Sequence, residues 1–192
     1  MKNFLSVALS VAFLFLVSKN STGQSIKNLE ENHGFKKYKL DSKFVMGYGV
    51  KHKDEDGADK IVIDYAREFI GDIPVKSIEL YYVKDTLAKI VVQFLPDYYL
   101  KLNEACTNSF GPPTKNFSNN ASRQTDSTIA VNYYEDSYVW NAKKFNLEYN
   151  YTYPKSGTSA YGNKNLNLTY VLNDYNQRIK RMKQVGTSAR NF

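Results

Sequence analysis

FNLEYNYTY, from Phe145 to Tyr153, alternates large apolar side chains with small polar ones over nine positions. Successive side chains of a strand point to opposite faces. Phe145, Leu147, Tyr149, Tyr151 and Tyr153 therefore share one face, and Asn146, Glu148, Asn150 and Thr152 the other. One dry face and one wet face is the pattern of an antiparallel sheet. NLNLTYVL, residues 165–172, repeats it with Leu166, Leu168 and Tyr170. The two segments read as a hairpin whose tip is the long polar loop PKSGTSAYGNK, residues 154–164.

Working outward, SIELYYV (77–83) and LAKIVVQFL (87–95) form a second hairpin around Lys84, Asp85 and Thr86, and KIVIDY (60–65) and TIAVNYYE (128–135) add further strands. Between them YYLKLNEACTNSF (98–110) places Tyr99, Leu102, Cys106 and Phe110 at spacings of three, four and four, one stripe of a helix. Asp97 offers an N-cap, while Gly111, Pro112 and Pro113 stop the helix. Cys106 falls on the apolar stripe and reads as a buried, inert thiol. TKNFSNNASRQTDS (114–127) is polar and turn-rich and reads as a loop. NDYNQRIKRMKQV (173–185) suggests a last helix, capped by Asn173 or Asp174, with Tyr175, Ile179 and Met182 turned inward. Hairpins plus amphipathic helices predict an α+β fold: an antiparallel sheet covered on one face by helix, a two-layer sandwich.

The chain begins with Met1 and Lys2, an apolar run from Phe4 to Val17, and then polar residues with small Ser21 and Gly23. This order is that of a secretory signal peptide over residues 1–24, and the run is shorter than the roughly 20 residues a membrane-spanning helix needs. The expected organisation is then a flexible lead-in over 25–37, one α+β domain over 38–185 and a loose tail from 186 to 192. No transmembrane segment is expected after cleavage. The single cysteine excludes an internal disulfide and stands far from the position of a lipid-attachment cysteine. Loss of Lys2 and Lys19 lowers the formal charge from +7 to +5. That modest, scattered excess lacks the dense basic stripe of a nucleic-acid binder.

LAKIVVQF, YYLKLNEACTNSFGPPT and YVWNAKKFNLEY follow one another as hairpin, helix ending in Phe-Gly-Pro, and Trp-bearing strand. Carried by Phe110, Gly111, Pro112 and Trp140, this stretch from Ser77 to Tyr153 resembles the helix-plus-sheet modules of beta-lactamase inhibitor proteins and of small envelope assembly lipoproteins. The chain lacks the disulfides of the former and the lipid-attachment cysteine of the latter. The resemblance implies a non-catalytic binding fold.

Chemistry-bearing patterns are few. Asp54, Asp56 and Asp59 fall out of calcium-loop register, with Gly57 too early and no late Glu. There is no nucleophile elbow, phosphate loop or zinc-ligand pair, so neither cofactor nor metal is expected. The alternative function is an envelope hydrolase that uses His52 or paired carboxylates drawn from Glu135, Asp136 and Glu148. Aromatic content is the stronger signal: sixteen Tyr and eleven Phe, with VNYYEDSYVW concentrating Tyr133, Tyr134, Tyr138 and Trp140 around two acids. Such residues dominate contact surfaces. The expected function is an exported, non-enzymatic binding or envelope-associated protein. It contacts an envelope or extracellular protein or glycan through a sheet face bearing Tyr134, Tyr138 and Trp140, with Tyr161 on the loop rim. N-terminal sequencing of the protein recovered from its own cells should start at Gln24 or Ser25; an intact Met1 on cytoplasmic material contradicts the leader.

Overall fold

The computed structural model describes residues 27–44, 51–64, 66–126, 129–155 and 164–188. The signal-peptide segment and Tyr161 lie outside the described residues. In chain order the elements are a helical turn over residues 27–32 (α1), β1 (Gly34–Phe35), β2 (Tyr38–Lys39), β3 (His52–Lys53), β4 (Asp59–Asp64), β5 (Phe69–Ile70), β6 (Ile73–Val83) and β7 (Thr86–Phe94). A 3-10 turn, Pro96–Tyr98, leads into α2 (Tyr99–Phe110), followed by β8 (Lys115–Asp126), β9 (Ile129–Asn141), β10 (Phe145–Pro154), β11 (Asn165–Leu172) and α3 (Tyr175–Ser188). β1 and β2 pair with each other. The other nine strands form one sheet in the order β3-β4-β6-β7-β11-β10-β9-β8, with β5 on β6, and every pairing is antiparallel. The protein is thus dominated by an antiparallel sheet, as the alternation predicts.

Register makes the sheet two-faced. Trp140, Leu147, Tyr170, Ile90, Leu80 and Ile61 stand in one row across six strands. Tyr138, Tyr149, Leu168, Val92, Ile78 and Ile63 form the next. Most of these side chains are closed to solvent and belong to one core cluster. The opposite face carries Lys60, Tyr81, Lys89, Val171 and Asn146 in one row and Gln93, Asn167, Asn150 and Ser137 in another.

α2 is fastened at both ends to the apolar face. The Tyr149 hydroxyl donates to the Tyr99 carbonyl at 2.9 Å, and the Trp140 indole N–H donates to the Gly111 carbonyl at 2.8 Å. Leu102 and Cys106 are buried between these ties. The helix ends where the sequence places its stop, with Gly111 at φ 77° and its N–H on the Thr107 carbonyl. Its start differs: Asp97 lies inside the 3-10 turn, and the capping position falls to Tyr98 with no side-chain hydrogen bond. Pro96 starts that turn one residue before Asp97, so Asp97 is a residue of the turn and not the cap.

Three segments depart from the sequence reading. The expected lead-in is built into the fold: Leu29 of α1 and Phe35 of β1 are buried, and the Phe35 ring lies 6.3 Å from Tyr170. Two isolated apolar residues in a polar stretch carry no periodicity, so only tertiary packing shows their role. The β1–β2 hairpin also needs Gly34, because a Cβ there would lie 2.2 Å from the Tyr38 carbonyl oxygen. Residues 115–126, read as a loop, form β8. Its polar side chains have poor strand propensity, and backbone pairing along β9 overrides it. The last helix extends to Ser188, beyond the expected start of the loose tail. Arg178 holds α3 down by reaching both Asp174 at 2.9 Å and Asp41 at 3.0 Å. Among the described residues no helix is long and apolar enough to cross a membrane.

Ile90 is closed to solvent at the centre of its row. Ile90→Ala should lower unfolding free energy by about 3 kcal/mol in urea titrations, through lost burial and a residual cavity. Tyr149→Phe removes one tie of α2 and should cost about 1 kcal/mol. A Tyr149→Phe protein as stable as wild type would show that this tie contributes nothing to the fold.

Candidate functional site

The apolar face does not end where its fully buried rows end. β10 continues its alternation past Tyr149, so Tyr151 and Tyr153 point the same way, and Tyr134 of β9 stands opposite Tyr153. Tyr99 joins them from the first turn of α2. Tyr99 and Tyr151 stack with ring centroids 4.7 Å apart and planes within 9°. Tyr151 and Tyr153 stack at 5.0 Å, and Tyr153 meets Tyr134 at 5.2 Å. Four rings therefore form a continuous strip. Tyr151 is buried, but Tyr99 and Tyr134 at its two ends are 38% and 39% exposed. The Lys155 ammonium sits 5.0 Å from the Tyr134 ring, within cation–π reach. Leu100, next to Tyr99, is the most exposed of the large apolar side chains at 65%.

The strip has a polar margin. Asp136 shares the row of Tyr151 and accepts a hydrogen bond from the Ser118 hydroxyl at 3.0 Å. Burial pushes the Tyr151 and Tyr153 phenols above their ordinary value, and Asp136 adds to the shift for both. Both hydroxyls thus stay protonated at physiological pH. The arrangement can bury a partner's apolar surface against the exposed end rings, Tyr99 and Tyr134, while its rim exchanges hydrogen bonds.

The expected contact residues spread along β9 from outside to inside. Tyr134 is exposed and belongs to the strip. Tyr138, two rows further in, is half-buried and meets Tyr149 edge-on at 5.4 Å. Trp140 is 1% exposed, with Phe110 edge-on at 6.4 Å. Its ring therefore packs under the end of α2 and leaves nothing for a ligand to touch. Tyr161 is outside the described residues. The sequence reading missed Tyr99, Tyr151 and Tyr153 as contact residues. The signal for two of them was present: the alternation of β10 runs on through Tyr151 and Tyr153.

The carboxylates considered for hydrolysis divide between the two faces of the sheet. Asp136 points to the apolar face, whereas Glu135 and Glu148 lie on the polar one. Glu135 pairs with Thr152, four residues along β10 from Glu148, a separation of roughly 13 Å along the strand. His52 is exposed on β3 and pairs through its backbone with Lys60. Among the described residues no three His, Cys, Asp or Glu side chains cluster for a metal.

No protein family, curated protein or solved structure matches this chain.

Cys106 is buried, and that burial alone pushes its thiol up to about 12. Iodoacetamide at pH 8 should label it in urea and leave it unlabelled in native buffer; rapid native labelling would show that the α2 stripe opens. The same shift sets a pH dependence. Above the ordinary value of 9.0 the unfolded chain loses the thiol proton while the folded chain keeps it. The Cys106 contribution is therefore fully present below about pH 9 and declines toward pH 12.

Proposed function

We propose that this is an exported, non-enzymatic binding protein that engages a partner protein of the envelope or the extracellular space through its tyrosine strip. The scaffold is a two-layer sandwich, in which α2 covers one face of the sheet and leaves the end bearing the strip open. The observation that carries this reading is the stacked series Tyr99–Tyr151–Tyr153–Tyr134, exposed at both ends.

A strip of rings locked against one another loses little side-chain entropy on binding, and tyrosine is enriched at interface hot spots. Exposed Leu95 and Leu100 near the Tyr99 end favour a protein partner over a sugar, which needs more hydrogen-bonding groups beside its stacking rings. Export rests on the order of charge, apolar run and small residues at the start of the sequence. The resemblance to inhibitor and envelope-assembly modules points the same way.

The test is co-purification from the native envelope fraction with the tagged protein, comparing wild type with Tyr134→Ala and with Asn150→Ala on the other face. Wild type and Asn150→Ala should recover the same partner, and Tyr134→Ala should recover about tenfold less or weaker still, as expected on losing a hot-spot ring. Equal recovery by all three proteins overturns the assignment. Trp140→Ala is a poor probe, because it empties the core instead of altering the surface.

A further inference from the structure

The polar face of the sheet is a second surface, independent of the strip. Gln93, Asn167, Asn150, Ser137 and Phe117 stand side by side on five adjacent strands, β7, β11, β10, β9 and β8. Strand spacing makes this row about 19 Å long. Hydrogen bonds orient the amides: the Ser137 hydroxyl donates to Asn150 Oδ1 at 2.8 Å, Asn150 Nδ2 donates to Asn167 Oδ1 at 3.4 Å, and the Thr169 hydroxyl donates to Asn167 Oδ1 at 3.2 Å. Phe117 closes the row 46% exposed, its ring on the same face as the amides. A hollow of about 690 Å³ spans the amide part of the row and continues to Glu148, Lys89 and Tyr175.

Two carboxylates of the hollow are paired, and Lys89 faces the other two, Glu135 and Glu148. Glu79 is engaged by Lys60 at 2.9 Å and by the Tyr81 hydroxyl at 2.6 Å, and Asp56 by Lys183 at 3.3 Å. The Lys89 ammonium lies 4.2 Å from the Tyr81 ring and 5.4 Å from the Tyr175 ring. Glu148 is half-buried; burial raises its carboxyl pKa, and Lys89 opposes that shift. The Tyr175 hydroxyl is buried with no hydrogen-bond partner among the described residues. A cationic ligand meets Lys89 here, and an anionic one meets Glu148 and Glu135. A neutral ligand rich in hydroxyls meets neither penalty. The Gln93 amide presents a donor and an acceptor in one plane, the complement of two adjacent hydroxyls, and Asn150 and Asn167 keep N–H groups beside their mutual bond.

We propose that the polar face binds a neutral oligosaccharide, with the row Gln93–Asn167–Asn150–Ser137 reading ring hydroxyls and Phe117 receiving the face of one sugar ring.

The purified protein is titrated calorimetrically with cellohexaose, maltohexaose, laminarihexaose, mannohexaose and chitohexaose, and with hexalysine and hexagalacturonate as charged probes. At least one neutral hexasaccharide should bind, with an affinity insensitive to salt. Phe117→Ala and Gln93→Ala, both on the polar face, should each weaken binding about tenfold, and Tyr134→Ala should leave it unchanged. Failure of every neutral probe up to about 10 mM, an unaltered affinity in both variants, or salt-dependent binding of a charged probe alone each overturns the proposal. Because Tyr134→Ala is neutral here and damaging in the co-purification, the two surfaces fail or succeed separately.

Discussion

The molecule depends on the register of β10 between β9 and β11. Eight residue pairs on one side and nine on the other lock Phe145–Pro154 in place. With a side-chain period of two, a slip of one residue would send Phe145, Leu147 and Tyr149 to the wet face and bury Asn146, Glu148 and Asn150. Burying a carboxylate and two amides without partners is costly enough to exclude that state. The same pairing aligns both surfaces: it extends the buried rows into exposed tyrosine on one side and assembles the amides on the other. Neither surface could be shifted without destroying its counterpart.

What the sequence reveals follows the strength of its patterns. Alternation over nine residues announced β10, and hydrophobic spacing with Gly111 announced α2. These signals are local, and the tertiary structure agrees with them. β8 and the lead-in show the reverse. β8 has no apolar alternation of its own and takes strand form because β9 offers a full ladder of backbone partners. Leu29 and Phe35 are single apolar residues whose burial depends on Tyr170 and its neighbours far along the chain. Asp97 had the right chemistry for a cap, but Pro96 turned the backbone first.

The contact residues were half legible for a related reason. Composition shows that aromatics crowd β9 and β10, but period two says only which side of the sheet each one takes. How far a helix reaches along that side is a matter of length and packing. Trp140 and Tyr134 are six residues apart on one strand and point the same way. One is closed off by Phe110 and the Gly111 carbonyl, and the other is exposed. The amide row was harder to see, because its members come from four strands and no pair of them lies close in sequence.

The two ends of the sheet carry a consequence for the protein's colloidal behaviour. β3, at one margin, is two residues long, and β8, at the other, is twelve residues of mostly Asn, Ser, Lys, Arg and Asp. An open margin is a template on which another chain can polymerise, and a long greasy one seeds fibrils. Here β3 is too short to recruit a strand, and β8 offers a newcomer little apolar surface besides Phe117. A Tyr-rich protein can thereby keep a wide open sheet and still remain dispersed.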